Sequence, residues 1–358
     1  MIKNPFVVAG RISKEYFCDR DKEKKTICKS ITNGNNLVLI SPRRMGKTGL
    51  IRYCFENEFD EDGYYTFFID IMHTTSLQEF TYLLGRKIYE AIVPRSRKML
   101  TAFIQTIKSI SGQFGFDPIT NTPTFNLNLG DIIKPELTLE EIFRYLENAD
   151  KPCIMAIDEF QQIAKFPEKN IEALLRTHIQ TMTNCQFIFA GSEYHVMQEI
   201  FLSAVHPFYN SADILELKPI AKDYYADFVE KWMNKYDKHI ERNDISEVYQ
   251  LFRGNTYGMQ RTFNEVFASV DNGEMLSNIP EKQKPLLYAI AEEGEVEKIT
   301  SASFIKKHKL SSASANQYAA KQLINYGIVT KLHNKYSISE QFFDIWINRM
   351  YGRKTTIM

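Results

Sequence analysis

The chain has 358 residues, room for two or three domains, and its 44% hydrophobic and 25% charged content is that of an ordinary globular protein. Lys plus Arg and Asp plus Glu both number 44, so no net field steers it to nucleic acid or to a membrane surface. No run of about 18 apolar residues offers a membrane span, and Met1-Ile2-Lys3-Asn4-Pro5-Phe6 lacks the long apolar core of a secretory leader.

In chain order, the first segment that carries chemistry runs from Asn36 to Thr48. Leu37-Val38-Leu39-Ile40 reads as a buried strand, and Leu50, Ile51, Tyr53 and Cys54 as the apolar stripe of a helix. Between them, Pro42, Arg43, Arg44, Met45, Gly46, Lys47, Thr48 and Gly49 form a phosphate-binding turn. There, backbone N–H groups wrap a polyphosphate at a helix N-terminus. Lys47 reaches the β- and γ-phosphates, the Thr48 hydroxyl binds Mg2+, and Gly46 lets the backbone come close. Ser41 stands where the first glycine of G-x-x-x-x-G-K-[ST] belongs. Taken alone, Gly-Lys-Thr is a common surface turn; the strand before it and the helix after it favour phosphate binding.

Tyr65 to Ile71 reads as a second strand. Gly112 to Leu137, rich in Asn, Thr, Pro and Phe, reads as a loop or hairpin insertion of unknown role. Cys153-Ile154-Met155-Ala156-Ile157-Asp158-Glu159 is a strand covered on both faces that ends in two acids. Asp158 is placed to order the Mg2+ shell and Glu159 to polarise an attacking water as general base. Gln186 to Ser192 reads as a further strand, whose final Ser192 touches the γ-phosphate or the lytic water, or is simply the strand's exit into a loop. Ile214-Leu215-Glu216-Leu217 is a fifth strand. Strands alternating with helical patterns predict an α/β fold with a parallel sheet. Its ligands sit outside the carboxyl ends of the strands.

Lys222 to Asn272 reads as helical, with Tyr225, Phe228, Val229 and Trp232 as core contacts, and Asp271-Asn272-Gly273 with Pro280 as a linker. Beyond Pro285 the pattern is three helices and a hairpin. Ser312 caps the third helix, Gly327 ends it, and Ile328 to Leu332 pairs with Lys335 to Ile338 around His333-Asn334. Phe342, Phe343, Ile345 and Trp346 pack back on this domain. Glu292, Glu293, Glu295 and Glu297 cluster at the end of its first helix. Lys298, Lys306, Lys307, Lys309, Lys321, Lys331 and Lys335 follow with no acid up to Ser339. This domain resembles the winged helix. A Lys-rich face on it contacts DNA phosphates or is only solvated, and a DNA contact brings Ser314, Asn316 and Gln317 near base edges. Cys18, Cys28, Cys54, Cys153 and Cys185 are odd in number and form no C-x-x-C pair. They read as thiols of a reducing cytoplasm rather than disulfides or zinc ligands.

The succession Phe17-Cys18-Asp19-Arg20-Asp21-Lys22-Glu23, Pro42-Arg43-Arg44-Met45-Gly46-Lys47-Thr48, Ile157-Asp158-Glu159-Phe160 and Ala190-Gly191-Ser192 resembles the archaeal-type ATPases. These are a STAND branch of the AAA+ P-loop proteins found also in bacteria. The resemblance spans nearly the whole chain. It implies a P-loop NTPase core over 1–220 with sheet order 5-1-4-3-2, a helical lid over 221–275 and a C-terminal winged helix over 276–358. It makes Phe17 and Arg20 contacts to the base and nucleotide, against a solvated charge for Arg20. It gives Ser192 the role of polar sensor beside the metal-binding strand. Arg43 and Arg44 either add positive potential at the phosphates or brace nearby loops. Arg176 is a candidate finger toward a neighbouring subunit, and Arg261 a lid sensor or a solvated helix residue. Two departures stand out. Ser211 occupies the place of an arginine that stabilises γ-phosphate charge, and Thr256 replaces a lid proline in Arg253-Gly254-Asn255-Thr256-Tyr257.

The expected activity is Mg2+-dependent ATP hydrolysis, with Glu159, Lys47 and Ser192 catalytic and Thr48 and Asp158 on the metal. Nucleotide state then moves the lid and winged helix. The rival is a slow or non-hydrolysing nucleotide-gated switch for a protein or DNA partner. No Asn-Lys-x-Asp motif reads guanine, so the base is adenine and the cofactors are ATP or ADP with Mg2+.

Overall fold

The computed structural model describes residues 4–59, 63–93, 97–110, 114–116, 123–125, 129–236, 238, 240–269, 276, 279–332, 334–339, 343–344, 347–348 and 351. It divides into two compact units. One comprises Ala9–Phe228 and Arg242–Met259; the other comprises Met1–Val8, Val229–Glu241 and Gln260–Met358.

The larger unit holds seven described strands: β1 (Leu37–Ile40), β2 (Tyr65–Asp70), β3 (Phe114–Phe116), β4 (Pro123–Phe125), β5 (Cys153–Asp158), β6 (Cys185–Gly191) and β7 (Asp213–Glu216). β3 and β4 pair antiparallel within the 112–137 insertion; residues 111–113, 117–122 and 126–128 there lie outside the described residues. The other five form one parallel sheet in the order β2-β5-β6-β1-β7. Numbered among themselves, these strands run 5-1-4-3-2.

Every residue of β1, β5 and β6 is buried, because successive side chains enter two different cores. Val38, Ile40, Met155, Ile157, Phe187 and Phe189 face one apolar cluster. Leu37, Leu39, Ile154, Ala156, Ile188 and Ala190 face the other. The first cluster is covered by α3 (Leu77–Ile92), α4 (Arg97–Thr106), α5 (Pro135–Glu147), α6 (Ile171–Ile179) and α7 (Tyr194–Leu202). The second is covered by α1 (Asp21–Thr32) and α2 (Lys47–Asn57). β7 is an edge strand and mostly exposed. The register sets Asp70 beside Asp158 and Ile40 beside Gly191, so Ser41, Asp158 and Ser192 emerge at one edge of the sheet.

Three helices follow: α8 (Lys222–Lys235), α9 (Arg242–Phe252) and α10 (Thr256–Ser269). Tyr225, Phe228, Val229 and Trp232 are buried, as core contacts should be. Of the linker, Asp271-Asn272-Gly273 lies outside the described residues.

The C-terminal part contains α11 (Lys284–Glu293), α12 (Ala302–Lys307), α13 (Ala313–Asn325), β8 (Val329–Leu332) and β9 (Lys335–Ile338). Leu286, Leu287, Ile290, Leu323, Val329 and Ile338 make its core, with Phe343 and Ile347 packed in. Phe342, Ile345, Trp346 and His333 lie outside the described residues. Ser312 caps α13 by accepting from the Ala315 N–H at 3.1 Å, and Gly327 past its end has φ 72°. β8 and β9 pair antiparallel as the wing, and Val296 bridges to Tyr336.

One expectation about this domain is overturned. Asn316 does not face outward toward a base edge; it is 4% exposed and its amide donates to the Ile299 carbonyl at 2.8 Å. Ser314 and Gln317 are exposed. The basic run is also partly neutralised, since Lys307 pairs with Glu293 at 2.6 Å and Lys335 with Glu295 at 3.0 Å. Among the described residues, no helix is long and apolar enough to cross a membrane.

Candidate active site

β1 ends at Ile40, and the chain turns through residues 41–46 before α2 starts at Lys47. Arg44 has φ 68° and Gly46 φ 90°, left-handed values that turn successive N–H groups toward one concave side. At Gly46 a side chain would be strained by the backbone alone, although an added Cβ would meet only the Thr256 methyl at 3.8 Å. Arg44 adopts the same region with a full side chain, at a cost of order 1–3 kcal/mol. Tyr257 holds it there: its N–H donates to the Arg44 carbonyl at 3.0 Å, and its ring lies 4.8 Å from the guanidinium. Thr256 donates to the Met45 carbonyl at 3.2 Å and Asn255 to that of Arg43 at 3.3 Å. The start of α10 thus clasps the turn.

Lys47 is 6% exposed. Its ammonium lies 3.1 Å from Asp158 Oδ1 and 3.1 Å from Glu159 Oε1. The Thr48 hydroxyl donates to Asp158 Oδ2 at 2.6 Å. Glu159 has φ 58°, which lifts its side chain off the strand end. Its other oxygen accepts from the Ser192 hydroxyl and from Gln161, each at 2.6 Å. Burial alone would raise the Glu159 pKa. The Ser192 hydrogen bond, the Lys47 charge and the Gln161 hydrogen bond outweigh it and hold the carboxyl below its usual value. Glu159 is therefore ionised at neutral pH.

The sequence reading brings Lys47, Thr48, Asp158, Glu159 and Ser192 together, and they converge here. It misses Gln161, which is 1% exposed. Gln161 donates to Glu159 and accepts from the Ser192 N–H at 3.3 Å. The signal available was an amide two residues after the acidic pair, in an apolar run. Gly191 makes room for it, since a Cβ there would lie 2.7 Å from the Gln161 oxygen and 2.4 Å from Met197 Sδ.

The other candidates fall in different places. Arg43 is exposed and points at the same cluster, its Nε 3.5 Å from Ser192 Oγ. Arg20 is neither solvated nor free. It is 5% exposed, and its guanidinium donates to the Lys218 carbonyl at 2.6 Å, to Glu23 at 3.0 Å and to the Met45 carbonyl at 3.3 Å, bracing the turn from behind. Met45 is itself buried in the core, so it offers the turn its backbone. Phe17 stacks on Tyr53 of α2 with centroids 3.7 Å apart. Ile12 packs 3.3 Å from where a Cβ on Gly49 would sit. Pro42 is exposed. The Ser211 hydroxyl donates to the Phe208 carbonyl at 2.7 Å. Arg176 is part-buried in the last turn of α6, and Arg261 is an exposed helix residue 3.5 Å from Glu265.

The donor set suits a hard divalent cation: a hydroxyl and a carboxylate oxygen side by side. No cluster of three or more His, Cys, Asp or Glu residues forms a cage among the described residues. Mg2+ at phosphate sites needs no such cage, taking one or two carboxylates and completing its shell with phosphate and water.

A parallel sheet of this order, with a Gly-Lys-Thr turn after β1 and an acidic pair after β5, separated from it by β6 alone, defines a P-loop NTPase core; here a winged helix follows it. Residues 17–261 match the family described as an ATPase domain predominantly from Archaea, and the chain belongs to that family. Residues 272–349 match a probable winged helix domain. No curated protein matches the sequence. Among solved structures, the Walker-type ATPase PABY2304 of Pyrococcus abyssi is similar at 20% identity over 96% of this chain and 99% of that one, with TM-score 0.50. The ORC2 protein of Aeropyrum pernix, solved with ADPNP and ADP, is similar at 12% identity over 96% of each chain, with TM-score 0.51. These likenesses are of fold.

Proposed function

We propose that this chain is a Mg2+-dependent ATPase of the STAND type within the AAA+ proteins, coupling nucleotide state to movement of a lid (221–275) and a winged helix (276–358) on a core (1–220). The observation that carries it is the meeting of two motifs 110 residues apart. The Thr48 hydroxyl sits 2.6 Å from Asp158, and Lys47 lies 3.1 Å from both Asp158 and Glu159. The turn from Pro42 to Gly49 and the Lys47 ammonium bind the phosphates. Thr48 and Asp158 would hold Mg2+, which when bound neutralises phosphate charge. Glu159 takes the proton of the attacking water, and Ser192 and Gln161 fix its orientation. Arg43, beside Ser192, adds positive charge at that end of the site. Phe17 lines the base side, and Arg20 supports the nucleotide through the turn it braces.

The slow-switch reading is favoured by two observations. Ser211 stands where an arginine would act, with its hydroxyl engaged by Phe208. The hydrogen bonds and the Lys47 charge also make Glu159 a weaker base. The winged helix serves as the interface for a protein or DNA partner, and the five free thiols suit a cytoplasmic protein.

Calorimetry with ATP and Mg2+ followed by single- and multiple-turnover hydrolysis tests the proposal. Glu159→Gln retains ATP binding and loses about 10²- to 10⁴-fold in hydrolysis. Wild-type turnover in Glu159→Gln removes Glu159 as base, and absence of binding heat from wild type removes the site. A single round with retained ADP selects the switch.

A further inference from the structure

We propose that Cys28 on α1 and Cys54 on α2 form an oxidisable dithiol, a modification site that a small peroxide closes to a disulfide and a small thiol reopens. The two helices pack side by side, and both residues belong to the same apolar cluster, Cys54 within it and Cys28 at its margin. Cys54 is fully buried and Cys28 only partly. The ion pair of Lys24, one turn before Cys28, with Glu58, one turn past Cys54, at 3.1 Å sets the two cysteines at the same level of the helix pair. Each thiol acts on the other, lowering the Cys28 pKa and raising that of Cys54. Lys24 adds positive charge that favours the Cys28 thiolate. Glu58 works against it at both sulfurs. The pair therefore has an accessible attacking sulfur and a sheltered resolving one, the division of labour that thiol oxidation needs.

The other thiols lack this combination. Cys18 is buried, and that burial pushes its pKa up to about 12. Cys153 and Cys185 face each other across β5 and β6. Both are buried, with sulfurs turned to the carbonyls of Leu146, Lys151 and Gln186. Burial raises Cys153 to about 12 and holds Cys185 well above the usual thiol value.

The chemistry balances with hydrogen peroxide as oxidant. The Cys28 thiolate attacks one peroxide oxygen, the O–O bond breaks, and the departing hydroxide takes up a proton to give water and a Cys28 sulfenic acid. Cys54 then gives up its proton, and its sulfur attacks that of Cys28. The S–S bond forms as the S–O bond breaks, releasing a second water. Two thiols are oxidised by two electrons in all, and one peroxide is reduced. The bond ties α1 to the helix whose first residues are Lys47 and Thr48.

The test treats the full folded chain with hydrogen peroxide, alkylates the remaining thiols after denaturation, and maps peptides by mass spectrometry with and without dithiothreitol. The expected result is a Cys28-to-Cys54 linked peptide that dithiothreitol abolishes, with Cys18, Cys153 and Cys185 alkylated. Cys28 is consumed at least about tenfold faster than Cys18. In Cys54→Ser, Cys28 stops at a sulfenic acid that dimedone captures. The wild-type measurement needs no variant to fold. The proposal is overturned if Cys28 and Cys54 both remain alkylatable, if Cys28 over-oxidises without linking, or if the link joins Cys153 to Cys185.

Discussion

Replacing Lys47 with methionine keeps an unbranched side chain one atom shorter and removes its charge. In the folded protein that charge is almost fully buried, with Asp158 also shielded: their side chains are 7% and 4% exposed, and that of Glu159 is 16% exposed. Solvent therefore screens little. Breaking such a pair from one side leaves a buried negative charge and costs about 3–5 kcal/mol. Asp158 keeps two donors, the Thr48 hydroxyl at 2.6 Å and the Glu159 N–H at 3.0 Å, which places Lys47→Met at the lower end. The expected loss is about 3 kcal/mol, or roughly a hundredfold in the open population. Asp158→Asn in the same chain removes most of the uncompensated charge, so the double variant recovers on the order of 1–2 kcal/mol relative to additivity. The probe is native-state alkylation of Cys153, fully buried in the central sheet, across a urea series. If Lys47→Met exposes Cys153 no faster than wild type, or the two substitutions simply add, the carboxylates do not depend on Lys47 and the convergence at the strand ends is misread.

Arg20→Met leaves the Lys218 carbonyl and Glu23 without a partner they have in the fold. It destabilises the larger unit by about 2–4 kcal/mol in the same alkylation assay and weakens ATP binding through the slackened turn. His206 donates from Nδ1 to Glu172 at 2.9 Å. That hydrogen bond, against a smaller burial penalty and with charge from Glu172 and Glu199, raises its pKa. A raised folded pKa stabilises below the unfolded value of about 6.5, and the gain is lost as pH rises through the folded pKa. Thermal melts of His206→Gln should therefore lose that slope above pH ~6.5. Asn316→Ala breaks the buried bond to Ile299 and lowers urea stability by about 1–3 kcal/mol, whereas Ser314→Ala stays within about 0.5 kcal/mol. Tryptophan fluorescence follows both, because the buried Trp232 belongs to the unit that contains α13.

The sheet was readable because its central strands carry continuous apolar runs, and only a strand covered on both faces tolerates them. The strand ends were placed within a residue: Gln186 to Ser192 against Cys185–Gly191, and Ile214 to Leu217 against Asp213–Glu216. Hydrogen-bond register, which a hydropathy pattern does not encode, sets those ends. The winged-helix caps were equally local, with Ser312 and Gly327 acting on their own helix. Asn316 was misassigned for the opposite reason. Its spacing to Ala319, Ala320 and Leu323 puts it on the buried face of its helix, but a polar side chain there is accommodated only through a partner 17 residues away, the Ile299 carbonyl. Arg20 is the same case across 198 residues to Lys218.

The roles of Arg43 and Arg44, adjacent and chemically alike, separate only in three dimensions. Arg44 takes a left-handed backbone and is clamped by Tyr257 through a ring contact and a main-chain bond. That leaves Arg43 to point at Ser192. The departure at Ser41 has a similar resolution. Glycine is favoured where φ is strongly positive, and in this turn it occupies the most positive position, Gly46 at φ 90°. Ser41 is not in that region; its N–H donates to the Gly191 carbonyl at 3.2 Å and extends the pairing of β1 with β6. Its hydroxyl donates to the Pro42 carbonyl at 3.1 Å, so a buried polar group is satisfied without reaching into the turn. A serine there preserves the strand-to-turn junction. The strain that fixes the concave backbone falls instead on Arg44, and it is offset from the start of α10. Any substitution that loosens Tyr257 should therefore be felt at the phosphate turn before it is felt in the helix that carries it.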